Sequence, residues 1–266
     1  MTISIASVVL DLVQNVSLLA LVVVGYAGLK RYDMGSPWLA QIAMGGLFAL
    51  GSILAISLRI QAGHGSFVDG RYVMIGLVAL FGGPVAAAVT VAVTVLYRLW
   101  LGGSGAFSGV AGAVAAGLVG IAFAAARDRH LVRINGISLL ALGAGVVTVG
   151  FAITLLLKPL MPHGSLTLTA LALYLVIPVS TVVLGLALGA EDERLALQAR
   201  LREQTDLFEA IFNSMSDGVA VADMQGKVIL ANDMARKLWG RPEHDAGGGA
   251  RIGDFGILDL NGRTPY

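Results

Sequence analysis

Through the first 190 positions, long apolar runs alternate with short polar connectors; beyond them, apolar residues recur singly among charges. A helix needs about 20 apolar residues to cross a bilayer core. Six stretches meet or approach that length: 4–29, 37–61, 71–101, 105–126, 134–157 and 166–190. The connectors KRYDMGSP, RIQAGHGSFVDG, LGGSG, RDRHLVR and KPLMPHGS carry the turn-forming residues. The pattern predicts a mainly α fold: a polytopic membrane helix bundle of about six segments, then a helical connector and a small α/β unit.

The third stretch is too long for one straight crossing. It opens with Asp69 and Arg71, closes with Arg98, and has Gly82-Gly83-Pro84 in its middle. Proline lacks an amide and clashes with the preceding helical turn, so Gly82, Gly83 and Pro84 form an expected hinge between a short half-helix and a full one. A re-entrant half leaves the count at six; five or seven crossings are also compatible.

Two helices carry patterned faces. Gly105, Gly109, Ala113 and Gly117 recur every four residues, the spacing of a smooth seam where a neighbouring backbone packs closely. Ser4, Ser7, Asp11, Gln14 and Asn15 share one face of the first helix. Polar atoms in hydrocarbon need partners, so that face is expected to look into the bundle, either as interhelical hydrogen bonding or as the wall of a polar pocket.

Composition sharpens the division. The chain is 56% hydrophobic and 13% charged, abnormal for a soluble domain. Residues 1–190 hold 13 charged side chains and residues 191–266 hold 22, which separates a lipid-embedded part from a water-exposed one. The net charge of +1 and the lack of a basic cluster give no reason to expect nucleic acid as a partner. The absence of cysteine excludes disulfides and thiolate chemistry, and His64, His130, His163 and His244 show no metal-ligand spacing. The N-terminus lacks a basic region and a small-residue cleavage site, so it reads as a retained first membrane helix. Arg127, Arg129 and Arg133 make their loop the most basic, hence cytoplasmic. With six passes and a cytoplasmic C-terminus, the N-terminus is also expected inside and Lys30 and Arg31 outside, against the same rule.

The arginines of the third stretch admit two readings. A mid-bilayer arginine costs about 2.5–3.5 kcal/mol on insertion scales, and side chains near helix ends snorkel to reduce that. On one reading Arg71 pairs with Asp69 or lipid phosphate and Arg98 is an interfacial anchor beside Tyr97 and Trp100. On the other, the Gly-Gly-Pro break folds the chain back so that Arg71 and Arg98 meet as two guanidinium forks suited to a small carboxylate. Ser104 and Ser108 then add hydroxyl donors near Gly102, Gly103 and Gly105, Asn15 and Asp11 line the first helix, and Asp69 or Asp11 holds the arginines when the site is empty.

After Gly189 the chain turns charged and helical. Leu197, Leu201, Gln204, Phe208, Ile211 and Met215 alternate by four and three, the seam of a short parallel dimer helix continuous with the sixth membrane segment. Strands are expected at 218–222 and 227–231 around the turn Asp223-Met224-Gln225-Gly226, then a helix capped by Asn232 or Asp233 and running to about Trp239.

The runs LVQNVSLLALVVVGYAGL and DGRYVMIGLVALFGGPVAAAVTVAVTVLYRLWLGGSGAFSGVAGAVAAGLVG resemble the LytS-type five-transmembrane receptor domain (5TMR-LYT), with D-x-R, G-G-P and Y-R followed by G-G as the most specific features. The stretch from 206 to 266, with its D-G-V strand, D-x-x-G turn and N-x-x-A helix start, resembles the opening of a PAS domain. The resemblance implies a transmembrane sensor domain at 1–190, a signalling helix at 191–213 and the N-terminal part of a PAS domain at 206–266, shorter than usual and hence expected to be truncated. It also implies that Arg71 and Arg98 occupy the family's arginine positions, which favours the pocket reading and a pyruvate-like carboxylate as ligand.

The expected function is the input portion of a bacterial signal-transduction receptor of the sensor histidine kinase type. It would act as a homodimer in the inner membrane, with the PAS part cytoplasmic and a response regulator as partner of an output domain not in this sequence. No catalytic residues, metal ligands or cofactor are expected in this chain; Gly247-Gly248-Gly249 follows no strand, and His244 beside it is expected to be solvent-exposed. The alternatives are the input half of a diguanylate cyclase, whose output sequence would differ, and a small-molecule transporter, since broken helices and buried arginines also mark transport sites. A purely structural scaffold would bind no ligand.

Overall fold

The computed structural model describes the backbone at residues 5–32, 34–57, 60–63, 66–68, 70–103, 106–157 and 166–239; side chains at 5–13, 15–16, 60–63, 66–68, 154, 157 and 166–173 lie outside the description. The chain divides into two compact units, Met1–Glu193 and Arg194–Tyr266.

The first unit is a helix bundle. Its elements are α1 (Ile5–Arg31), α2 (Pro37–Ser57), an antiparallel hairpin of β1 (Ile60–Gly63) and β2 (Ser66–Val68), α3 (Arg71–Gly82), α4 (Pro84–Leu101), α5 (Ala106–Asp128), α6 (Gly136–Leu157) and the start of α7 (Leu166–Ser214). Among the described residues, α2, α4, α5, α6 and α7 contain stretches long and apolar enough to cross a membrane, as a multi-pass membrane protein requires. Their outer faces expose large apolar side chains such as Leu50, Leu96, Leu118 and Leu140, as contact with lipid demands. The hairpin occupies what the sequence suggested was only a connector.

The third apolar stretch breaks where expected. Gly83 takes φ 89°, ψ 176°, a region open essentially to glycine, and Pro84 starts α4 at a position where its missing amide costs nothing. Gln41 of α2 fills the corner, its Oε1 accepting from the Val85 amide at 3.1 Å. At 12 residues α3 is roughly 18 Å long, short of the ~30 Å core. It survives because it is wrapped by protein: every residue from Val73 to Phe81 is buried. Glycines let its neighbours approach. A Cβ on Gly120 of α5 would sit 2.6 Å from the Gly76 carbonyl oxygen of α3, and one on Gly117 2.6 Å from Val91 of α4. Ala113, of the predicted seam, is buried, whereas Gly105 is outside the described residues.

The break also corrects the expected placement of α1. The Tyr26 hydroxyl donates to Asp192 Oδ1 at 2.6 Å, Lys30 Nζ lies 3.4 Å from Asp192, and Arg31 Nη2 lies 3.3 Å from Glu191. Lys30 and Arg31 thus lie at the end of the bundle where α7 leaves it, not at the opposite face. The physical reason is the reversal at Gly83: α3 and α4 run antiparallel as separate helices, which adds one change of direction between α1 and α7.

Within the second unit, α7 runs on unbroken to Ser214. It is followed by β3 (Ala220–Ala222), antiparallel to β4 (Val228–Ala231), and by α8 (Asp233–Leu238). The turn forms as its residues demand: Gly226 takes φ 77°, and Asp223 Oδ1 accepts from the amides of Gln225 and Lys227 at 3.0 and 2.8 Å. Of the two candidate caps, Asn232 is the one used, accepting from the Ala235 amide at 2.8 Å. His244, Gly247-Gly248-Gly249 and the rest of 240–266 lie outside the described residues.

Candidate anion-binding site

Three helix ends meet at one end of the bundle: the start of α3, the end of α4 and the start of α5. Arg71 is the first residue of α3 and is only 7% exposed. Arg98 lies in the last turn of α4, half-buried. Gly109 lies in the second turn of α5 and gives both room. The point that a Cβ on Gly109 would occupy is 2.9 Å from Arg98 Nε and 3.2 Å from Arg71 Nη2. Two guanidinium groups from opposite ends of the α3–α4 hairpin therefore converge on one spot of backbone.

Each fork is oriented by its surroundings. Arg71 Nη2 donates to the Tyr72 hydroxyl at 2.9 Å and its guanidinium carbon lies 4.7 Å from the centre of the Tyr72 ring. Arg98 Nη1 donates to the Gly102 carbonyl at 2.7 Å. Gly102 and Gly103 take φ 67° and 91°, turning the chain so that α5 starts beside the arginine it caps. Tyr72 is held by the same glycine-rich face: a Cβ on Gly112 would sit 2.7 Å from its hydroxyl.

The electrostatics favour a negative occupant. Two like charges converging on one glycine repel, and an anion between them reverses that term. The first turns of α3 and α5 add the positive ends of two helix dipoles. Bidentate hydrogen bonding to a carboxylate is what such planar forks do well.

Of the residues expected here, the structure brings Arg71 and Arg98 together and places Ser108 in the first turn of α5, next to Gly109. Asp69 and Ser104 lie outside the described residues, as do the side chains of Asp11 and Asn15. Tyr72, Gly109 and Gly112 join the site without a signal of their own in the sequence. Tyr72 adjoins Arg71, and the spacing of Gly109 marks a packing seam; only the fold shows that the seam faces the arginines. A separate cavity of roughly 790 Å³, lined by Lys30, Arg31, Gln41 and Phe81 among others, lies at the other end of the bundle.

The family model described as the 5TMR of 5TMR-LYT matches residues 16–212. A PAS domain model matches residues 206–264. No curated protein and no solved structure matches the chain.

Proposed function

The chain belongs to the 5TMR-LYT family, and from that premise we propose that it is the input portion of a sensor histidine kinase whose membrane unit takes a small carboxylate between Arg71 and Arg98. A PAS domain directly after the membrane unit is the arrangement of a receptor, and it weighs against a transporter. The observation that carries the ligand class is the convergence of both guanidinium groups on Gly109. A pyruvate-like monocarboxylate has the charge and the planar oxygens for two forks.

Orientation follows from the basic residues. Lys30, Arg31, Arg127, Arg129 and Arg133 cluster where α7 leaves the bundle, which makes that end cytoplasmic. The PAS unit is then cytoplasmic, the membrane is the inner membrane, and the arginine pair opens toward the outside. The connector acts as a homodimer helix: Leu197, Leu201, Phe208 and Ile211 form one stripe of α7, each 52–62% exposed in the single chain, so a second copy covers them, while Met215 lies just past the end of the helix. Ligand binding shifts the receptor only if its two helix arrangements differ in affinity for the carboxylate. A response regulator is the downstream partner of the kinase class.

The test is thermal stabilisation of the purified protein by a panel of small carboxylates, with Arg71→Ala and Arg98→Ala as controls. Concentration-dependent stabilisation that either substitution abolishes supports the site. Stabilisation that survives both rejects it.

A further inference from the structure

The buried helix α3 touches two things at once. Its first residue, Arg71, belongs to the arginine pair. Its other end meets the point where α7 leaves the bundle. There the Phe81 ring packs edge-on against Tyr26, with centroids 6.1 Å apart and planes at 89°. Arg127 Nη1 donates to the Leu80 carbonyl at 2.6 Å, holding the last turn of α3 from α5. Tyr26, fully buried, donates its hydroxyl to Asp192 of α7 at 2.6 Å. Lys30 lies over the Tyr26 ring at 5.3 Å and reaches the same carboxylate, while Arg31 pairs with Glu191.

The packing restricts how α3 can respond. Sideways movement is opposed by close contact on several faces: the Gly76 carbonyl against Gly120, Gly76 against Val146, Met74 against Gly51, and Gly82 against Met44. The glycine-only corner at Gly83 supplies a joint between α3 and α4. An anion bridging Arg71 and Arg98 pulls the start of α3 toward the end of α4. A short rigid helix passes such a displacement to its far end. There Phe81 meets the Tyr26 ring, whose hydroxyl makes a charge-assisted hydrogen bond beside the Lys30–Asp192 and Arg31–Glu191 pairs, and such a bond is strong only within a narrow range of distance and angle.

We infer that α3 is a strut and the Tyr26–Asp192 hydrogen bond a latch, so that occupancy of the arginine pair changes the hold of α1 on the start of the signalling helix. This rests on the reading of Arg71 and Arg98 as an anion site. The latch fixes α7 at Asp192, and α7 continues without a break to Ser214, so release there frees the root of the connector. The alternative is a static staple between α1 and α7 that carboxylate leaves untouched.

The experiment is hydrogen exchange by mass spectrometry on the whole chain in lipid nanodiscs, following peptides across 186–206, with and without excess pyruvate. Wild type, Tyr26→Phe, Asp192→Asn and Phe81→Leu are compared, and thermal stabilisation by pyruvate is recorded for each. Without ligand, Tyr26→Phe should exchange roughly tenfold faster or more at the root of the connector, as loss of a hydrogen bond to a charged group implies, and Asp192→Asn, whose amide oxygen still accepts but carries no charge, should lie between it and wild type. With pyruvate, wild type should change its exchange there, while Tyr26→Phe and Phe81→Leu keep the stabilisation and lose that change. An unaltered connector response in Tyr26→Phe with stabilisation intact overturns the latch, and wild-type stabilisation without any connector response leaves only the staple. If pyruvate fails to stabilise wild type at all, the anion site fails instead; ligand-free exchange in Tyr26→Phe and Asp192→Asn equal to wild type would then reject the latch too.

Discussion

Arg127 Nη1 donates to the Leu80 carbonyl oxygen at 2.6 Å, so a cation from the end of α5 closes the final turn of the short helix α3. The last carbonyls of any helix lack intrahelical partners, and a side-chain donor satisfies one of them here. Arg127 also pairs with exposed Asp128 at 3.1 Å, but a surface pair is worth ~0–1 kcal/mol. The part-buried contact should dominate. Arg127→Met is expected to destabilise the membrane unit by about 1–3 kcal/mol. Asp128→Asn should change stability by no more than about 1 kcal/mol. Thermal unfolding in detergent compares the two, and equal shifts would refute this ranking.

The corner at Gly83 gives a second expectation. Its φ of 89° with ψ of 176° is strained for any residue with a side chain, and a Cβ there would meet Gln41 Oε1 at 2.8 Å. Gly83→Ala is expected to cost about 1–3 kcal/mol. It should also disturb the hydrogen bond from the Val85 amide to Gln41. Pro84→Ala, by contrast, changes an exposed first helical position and should cost well under about 1 kcal/mol. Detergent unfolding of the two variants side by side checks the contrast; a larger loss in Pro84→Ala would show that proline, not glycine, makes the corner.

The Gly82-Gly83-Pro84 break could be read from sequence because it is local chemistry: a missing amide and a missing Cβ act on their own turn. The consequence of the break could not. Hydropathy measures the length of an apolar run, not which of its ends meet, so a hairpin and a single long crossing look alike. That ambiguity set α1 on the wrong side of the connector. The contact that corrects it, Tyr26 to Asp192, joins residues 166 apart in the chain. In the arginine site the cations were visible because charge is rare in an apolar run. Gly109 was not, because a glycine recurring every four residues signals close packing whether the neighbour is a backbone or a guanidinium. Asn232 was legible, since its capping role depends on the next three residues alone.

Gly109→Ala separates fold from site. The atoms its Cβ would crowd belong to two long side chains, Arg98 Nε at 2.9 Å and Cγ at 3.3 Å and Arg71 Nη2 at 3.2 Å, not to backbone. The helix itself gains from alanine, by up to about 1 kcal/mol. Stability should therefore change little, while both guanidinium groups are pushed from their converged positions. Carboxylate-dependent stabilisation is expected to fall about tenfold or more in apparent affinity, a loss of about 1.4 kcal/mol. Gly120→Ala meets the Gly76 carbonyl at 2.6 Å and should instead destabilise the bundle. Undiminished carboxylate affinity in Gly109→Ala would show that the ligand does not sit between these arginines.

Asn232 ties the second unit together. Fully buried, it accepts from the amides of Val219 and Ala235 at 2.9 and 2.8 Å and donates from Nδ2 to the Asp217 carbonyl at 2.7 Å. One side chain thus joins the entry to β3, the end of β4 and the start of α8. Asn232→Ala removes the cap and strands three backbone groups, at a cost of at least about 2 kcal/mol to this unit. Asn232→Asp retains both acceptor contacts but sets a carboxylate oxygen against the Asp217 carbonyl at a buried site, so it too should destabilise this unit. Limited proteolysis between 216 and 239 reads the effect, while thermal unfolding of the membrane unit should be unchanged because the two units are separately compact. Protection of 216–239 in Asn232→Ala equal to wild type would mean that the hairpin and α8 are held by packing around Val228, Ala231 and Ala235 instead.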